Sequence, residues 1–230
     1  MKKLFVSLLS LVVVILFTAC GSTAGTTSST SSQKVVTEPQ ASSSSAPVVA
    51  SEKLQGKKIL VVYFSRTGDN YAVGNISKGN THIVADMIAE TTGADTFEIK
   101  TVKPYPATYK ECTEVAKKEL ADDARPELAT KIDNIKDYDA IFLGYPIWWS
   151  DMPMAIYSFM ESYDFNGKTI IPFCTSAGDV LTGKENNIPK YAKGATVLQG
   201  LGIEGKRAQE KPDSVRPQVQ EWLTKLGFTK

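Results

Sequence analysis

Residues 59–81 read ILVVYFSRTGDNYAVGNISKGNT: an apolar run, a loop rich in glycine and hydroxyl side chains, and the start of a helix. A buried strand that leads through such a loop into a helix forms an anion site, because the first N–H groups of a helix lack partners and carry partial positive charge. Ser65, Thr67 and Thr81 add hydroxyl groups, and the glycines let the backbone close around a ligand. The stretch therefore predicts a site for a phosphate group, as carried by a cofactor.

Two common phosphate motifs do not fit this loop. The nucleotide P-loop needs a lysine directly after its second glycine; Gly74 and Gly79 have the required spacing, but Asn80 stands at the lysine position. The glycine pattern of dinucleotide-binding turns is also absent from this turn. Two interpretations remain, namely a mononucleotide phosphate held by hydroxyl groups and backbone amides, or an ordinary strand-to-helix turn.

A second motif lies at residues 139–151, which read DAIFLGYPIWWSD. An apolar strand, predicted over 140–144, ends in a turn that carries Trp148 and Trp149. Open parallel α/β sheets bind ligands at the carboxyl ends of their strands, and both motifs follow strands. The flat indole rings suit a planar ligand, and the alternative is a surface loop folded back on a helix.

Strand and helix patterns alternate through the rest of the chain. Five apolar strand segments are separated by amphipathic or charged segments of helical period. This alternation predicts an α/β fold with a doubly wound, five-stranded parallel sheet. The predicted strands are 58–64, 95–99, 140–144, 168–174 and 196–200, and the closing helix is 215–226 with Pro217 in its first turn.

From about Lys57 to the C-terminus, the chain resembles the flavodoxin family in its FMN-binding branch. The resemblance rests on VVYFSRTG with the later GNT, on IFLGYPIWW, and on IIPFCTSAG at residues 170–178. It implies the strand order 2-1-3-4-5 and FMN as cofactor. FMN supplies the electron chemistry, so no catalytic side chain and no metal is expected.

The resemblance also implies which residues hold the cofactor. They form a phosphate loop and two loops for the isoalloxazine ring. The phosphate loop is Ser65, Thr67, Asn80 and Thr81, the first ring loop is Pro146, Ile147, Trp148 and Trp149, and the second is Thr175, Ser176, Ala177 and Gly178. The family's usual phosphate loop runs without a break, whereas residues 68–78 here separate its two halves.

The first 20 residues resemble a bacterial lipoprotein signal. Two lysines precede a short apolar run, which ends in small residues and Cys20. We expect Cys20 to be the lipidated first residue of the mature chain, which would anchor the protein at the extracytoplasmic face of the cell membrane. A plain signal peptide cut after Ala19 is the alternative. The predicted organisation is a signal at 1–20, a disordered Ser/Thr-rich spacer at 21–54 and a flavodoxin-like domain at 55–230.

Composition argues against several classes of function. The net charge of +1, without a basic run in the spacer or domain, leaves nucleic-acid binding unsupported. Three cysteines and the single histidine, His82, cannot assemble a zinc or iron–sulfur ligand set if Cys20 is acylated. We expect Cys112 and Cys174 to be buried unpaired thiols, with a disulfide between them as the alternative.

Three functions remain open from the sequence. The first is an FMN-binding electron-transfer protein or oxidoreductase, tethered outside the cytoplasm, that exchanges electrons with a redox partner protein or a quinone. The second is a dedicated NAD(P)H:quinone oxidoreductase. The third is a non-enzymatic lipoprotein that retains the fold without flavin. The presence of both a hydroxyl-rich loop and an aromatic loop counts against the third.

Overall fold

The computed structural model describes Leu54 and residues 56–228. The predicted signal, Cys20 and the spacer up to residue 53 lie outside the described residues. None of the helices formed by the described residues has the length and apolar character that crossing a membrane requires.

A parallel sheet forms the centre of the domain, with helices packed against it. The strands of the described chain are β1 (Ile59–Tyr63), β2 (Gly68–Asn70), β3 (Gly74–Ile76), β4 (Asp95–Glu98), β5 (Ala140–Pro146), β6 (Thr169–Ser176), β7 (Thr196–Val197) and β8 (Leu201–Glu204). The α-helices are α1 (Asn80–Thr92), α2 (Tyr109–Ala121), α3 (Met154–Glu161), α4 (Ile188–Tyr191), α5 (Gly205–Glu210) and α6 (Pro212–Lys225). Short 3-10 helices span Ile135–Asp137 and Lys184–Asn187.

The strand order confirms the predicted α/β topology. Strand β1 pairs with β4 on one side and with β5 on the other, and β5 pairs with β6, all in parallel. Strands β7 and β8 follow each other along the far edge of β6 and act as one interrupted fifth strand. If the five parallel strands are numbered along the chain as β1, β4, β5, β6 and the pair β7–β8, their order across the sheet is 2-1-3-4-5. The topological switch point therefore lies between the carboxyl ends of β1 and β5. The loops that follow these two strands belong to the two motifs at residues 59–81 and 139–151.

The fifth strand, predicted as a continuous segment over 196–200, is interrupted: it breaks after Val197, resumes at Leu201 and ends at Glu204. Ile170 of β6 accepts a hydrogen bond from the N–H of Leu198, at 3.0 Å. Two residues further along β6, at the position that faces the same neighbouring strand, stands Pro172. Proline has no N–H, so the next rung of this ladder cannot form and the pairing is interrupted.

Both faces of the sheet are buried, as a doubly wound fold requires. Along β1, Leu60 and Val62 join an apolar cluster that includes side chains of α3 and α4. The alternating residues Val61 and Tyr63 join a second cluster that includes side chains of α1, α5 and α6. Because successive side chains of a strand point to opposite faces of the sheet, β1 contributes residues to the core on each face.

Three features differ from the sequence prediction or were missed by it. Residues 68–76, read as loop, form the antiparallel hairpin β2–β3. The short helix α5 was not predicted. Helix α6 begins at Pro212, three residues earlier than expected, so Pro217 lies inside the helix and not in its first turn.

Candidate functional site

A cavity of about 520 Å³ lies at the carboxyl ends of β1, β5 and β6. Eight of the twelve predicted cofactor residues line it, and they come from all three predicted loops. These eight are Asn80, Pro146, Ile147, Trp148, Trp149, Thr175, Ser176 and Ala177. The remaining four, Ser65, Thr67, Thr81 and Gly178, are not among its lining residues.

The phosphate loop is organised around the start of α1. The Ser65 hydroxyl accepts a hydrogen bond of 3.1 Å from the N–H of His82, in the first turn of the helix, and so caps a donor that would otherwise lack a partner. The loop packs directly on Gly79. A Cβ atom at this position would come within 2.2 Å of the Ser65 Oγ and 2.6 Å of the Arg66 carbonyl oxygen, so only glycine fits. Ser65 thus has a structural partner, and its contact with a phosphate stays a prediction, as does that of the exposed Thr67.

Thr175 joins the three loops to one another. Its side chain shares a hydrogen bond of 2.8 Å with the Thr81 hydroxyl, and both residues are buried. Its carbonyl oxygen accepts a hydrogen bond of 2.9 Å from the N–H of Ile147, in the tryptophan loop. A single residue at the end of β6 therefore holds the first turn of α1 and the loop after β5 in a common frame.

The tryptophan loop is a tight turn with unusual backbone angles. Trp148 and Asp151 pair through two backbone hydrogen bonds of 2.9 and 3.0 Å. The two central residues, Trp149 and Ser150, have φ of 52° and 61°, the left-handed region that side chains rarely adopt. Such strain persists where the surroundings enforce it and is common at ligand sites.

The two tryptophans have different environments. The ring of Trp148 makes edge contacts with Phe64 and Tyr105, at centroid distances of 5.4 and 5.0 Å. Trp149 is 51% exposed, and its indole N–H donates to the Thr113 carbonyl oxygen on α2 at 3.0 Å. Trp148 is thus part of an aromatic cluster, whereas about half of Trp149 is exposed and the Lys117 Nζ lies 5.3 Å from the centre of its ring.

Asn80 carries a polar atom that the protein itself does not satisfy. Its side-chain oxygen is buried and has no hydrogen-bond partner among the described residues, although Asn80 lines the cavity. Buried acceptors almost always have a donor, and one left without a partner costs about 1–3 kcal/mol. This side chain therefore points to a ligand with a polar group at the start of α1.

Most charges near the loops are paired within the protein. The Arg66 guanidinium donates to the carbonyl oxygens of Pro106 and Ala107, at 2.7 and 2.6 Å. Lys78 pairs with Asp86, away from the cavity lining. Asp179, which follows the second ring loop, pairs with Arg207 at 2.7 Å.

Sequence reasoning missed several residues that line the cavity. Glu204, Gly205 and Lys206 reach it from the junction of β8 and α5, and Lys206 brings a cation to the side where Gly205 packs against Asn80. No motif marks this segment. Only the position of the fifth strand in the sheet brings it next to the loop before α1.

The thiol and imidazole groups do not form a nucleophilic site. Cys112 and Cys174 are both free and buried, which confirms the prediction of unpaired thiols. Burial raises the pKa of both thiols, that of Cys174 to about 12, so both are protonated and unreactive near neutral pH. The Nε2 atom of His82 lies 3.5 Å from Asp86, and its ring lies 4.7 Å from the ring of Tyr63. Among the described residues, no cluster of His, Cys, Asp and Glu could hold a metal ion.

Comparison with known proteins agrees with this geometry. The model of the family described as flavodoxin matches residues 58–225. None of the curated proteins compared with the chain matches it. Two solved structures classed as flavoproteins, from Bacteroides uniformis and Bacteroides eggerthii, are 31% and 27% identical, each with a TM-score of 0.59. They cover 74% and 75% of this chain, and the match spans 99% of each of them.

A third structure shares the fold at lower identity. It is a flavoprotein from Lactobacillus acidophilus, solved in complex with FMN, with 20% identity and a TM-score of 0.51. The match covers 67% of this chain and 97% of that one. The family match over most of the chain, the strand order and the three loops at the switch point agree, and the chain therefore belongs to the flavodoxin family.

Proposed function

We propose that this protein binds FMN in the cavity at the switch point and acts as an electron-transfer protein or oxidoreductase. One observation carries the proposal: three loops that are distant in sequence meet at one cavity, and Thr175 hydrogen-bonds to the other two. The family and the FMN complex of a protein with the same fold support the choice of cofactor.

The residues at the cavity fit the chemical groups of FMN. The unpartnered oxygen of Asn80 is an acceptor that a ribityl hydroxyl can satisfy, and the reverse orientation of the same amide would offer N–H donors to a phosphate. The loop packs directly on Gly79 at the start of α1, where the partial positive charge of a helix N-terminus favours an anion. Lys206 brings a positive charge to the cavity lining beside the acidic Glu204, and its Nζ lies 3.9 Å from the Glu210 carboxylate. When bound, FMN supplies one- and two-electron chemistry.

The chain's own residues orient and shield the ring. We assign the stacking contact to Trp149, because its ring is half exposed at the cavity while Trp148 already packs against Phe64 and Tyr105. The hydrogen bond from its indole N–H to Thr113 fixes the ring against α2. Thr175 keeps the facing loop at the end of β6 in register with the tryptophan turn.

Trp149→Ala is expected to weaken FMN binding by about five- to 150-fold, since stacking on an aromatic ring contributes roughly 1–3 kcal/mol. Trp149→Phe retains a ring and should lose much less. Titration of the purified protein with FMN, followed by quenching of flavin fluorescence, measures both effects. Trp148→Phe is the matched control for the neighbouring position, and a larger loss there than with Trp149→Ala would move the stacking role to Trp148.

The same titration tests the proposed function itself when riboflavin is compared with FMN. The two ligands differ only in the phosphate, so a phosphate site at α1 predicts clearly tighter binding of FMN. Equal affinities for FMN and riboflavin would contradict a phosphate site at the start of α1. A protein that binds neither flavin would retain the fold without the cofactor and would contradict the proposal.

We further propose that Cys20 is acylated and tethers the domain outside the cytoplasm. The support is the order of charged, apolar and small residues that ends in Cys20. A domain in that position would be out of reach of cytoplasmic NAD(P)H, so its electrons would come from a membrane quinol or a neighbouring redox protein.

Cys20→Ser is expected to move the protein out of the membrane fraction and to abolish the mass increase due to lipid. Fractionation of cells that produce each form, with mass spectrometry of the purified protein, checks both results. A Cys20→Ser protein that stays in the membrane, together with a wild-type protein without lipid mass, would indicate an uncleaved anchor instead.

A further inference from the structure

Exposed aromatic side chains are concentrated at the mouth of the cavity. Among the described residues, the exposed large apolar side chains are Tyr71, Val102, Tyr109, Trp149 and Val180. The three aromatic members of this set, Tyr71, Tyr109 and Trp149, all line the cavity at the carboxyl ends of β1, β5 and β6. Tyr71 is 63% exposed, although a ring of this size normally packs against other side chains. Clustered exposed rings of this kind mark a binding surface.

The two tyrosines are held by a fixed framework. Tyr71 lies in the turn of the β2–β3 hairpin, and Tyr109 is the first residue of α2. The Asp69 N–H donates to the Ala107 carbonyl oxygen at 2.9 Å, and the Asp69 carboxylate accepts from the Tyr109 N–H at 3.2 Å. Gly68 packs so closely that a Cβ there would lie 2.8 Å from the Ala107 oxygen.

This framework brings the rings of Tyr71 and Tyr109 to a centroid distance of 6.2 Å, with 41° between their planes. Neither ring belongs to the apolar clusters of the core. The inserted hairpin, which separates the two halves of the predicted phosphate loop, therefore adds an aromatic wall to the cavity together with the start of α2.

The charge on this wall selects the ligand class. The cavity-lining residues of the hairpin turn and of α2 are uncharged, and they include Ala72, Thr113 and Ala116 beside the tyrosines. The lining cation Arg66 donates to the carbonyl oxygens of Pro106 and Ala107. Lys117 of α2 is not a lining residue, and its Nζ lies over the Trp149 ring, 5.3 Å from the centroid. Because no charged side chain of the hairpin turn or of α2 lines the cavity, this wall suits a neutral planar molecule better than the phosphate-bearing nicotinamide cofactors.

We propose that Tyr71 and Tyr109 form a second aromatic subsite, which binds a neutral planar ring of the quinone class in the cavity that FMN shares. The inference rests on the proposed function for the identity of the neighbouring cofactor, but the two rings and their neutral surroundings carry the subsite itself. The redox partner of the bound cofactor is then a small molecule that enters the cavity.

Calorimetric titration with 1,4-naphthoquinone tests the subsite, both on the protein without flavin and on the FMN-loaded protein. Tyr71→Leu and Tyr109→Leu should each weaken quinone binding by about three- to tenfold, the range expected for loss of one aromatic contact. Tyr71→Phe should bind the quinone as the wild type does, since the ring and not the hydroxyl makes the contact. Val102→Ala, an exposed apolar change away from the cavity, is the matched control and should change nothing.

The affinity for FMN, measured on the same variants, separates this inference from the proposed function. Unchanged FMN binding with weakened quinone binding supports the second subsite. Parallel loss of both ligands would assign the tyrosines to the flavin site and overturn the inference, as would quinone binding that is absent or indifferent to both Leu variants. If the wild type binds no FMN but the Leu variants still weaken quinone binding, the subsite stands and the proposed function falls.

Discussion

Gly79→Ala is expected to weaken FMN binding by roughly tenfold or more and to destabilise the protein by about 1–3 kcal/mol, because an added methyl group has no room. The new Cβ would lie 2.2 Å from the Ser65 Oγ, 2.6 Å from the Arg66 oxygen and 2.9 Å from the Arg66 nitrogen. Two of these three atoms belong to the backbone, so rotation of a side chain cannot relieve the clash. The loop must move away from α1, and the donors at the helix start lose their arrangement.

The measurements are FMN titration and urea unfolding of the purified variant. Gly144→Ala is the matched control, because its Cβ would clash with the Phe173 ring in the core and Gly144 does not line the cavity. It should lower stability by a similar amount but leave the FMN affinity of the folded protein near the wild-type value. If both glycine variants lose FMN to the same extent, general instability and not the phosphate loop would explain the result.

Phe173→Ala is expected to have the largest effect on stability, a loss of about 3–5 kcal/mol in the free energy of unfolding. Phe173 is fully buried in β6 and packs over Gly144 in the neighbouring strand β5, its partner in the sheet register. Gly144 has no side chain to fill the vacated space, so much of the cavity should remain open.

The contact between these two residues can be measured as a coupling. An added Cβ at Gly144 would lie 2.1 Å from the Phe173 Cζ and within 2.7 Å of two further ring carbons. Gly144→Ala should therefore be less damaging in a Phe173→Leu background than in the wild type, and urea unfolding of the two single variants and the double variant gives the difference. Additive losses would show that the ring does not fill the space above Gly144.

The sequence by itself was sufficient for the fold class and for the positions of the main loops. Apolar runs such as 140–144 and the helical period after Asn80 are local properties, and the rule for open parallel sheets then brings the ends of β1 and β5 to one edge. For this reason the tryptophan turn and most of the predicted cofactor residues do line one cavity in the structure.

Features that depend on contacts between distant segments were decided only by the tertiary structure. The break in the fifth strand follows from Pro172 on the strand beside it, and the segment 204–206 reaches the cavity because that strand lies next to β6. The hairpin at 68–76 reads as a loop because its glycine and asparagine residues are typical of turns, and backbone groups of Ala107 and Tyr109 hold it in place. The different environments of Trp148 and Trp149 arise from left-handed backbone angles, which no local pattern predicts for tryptophan and serine. Local periodicity thus determined which elements form, whereas the hydrogen bonds and close packing between remote residues determined the shape of the site.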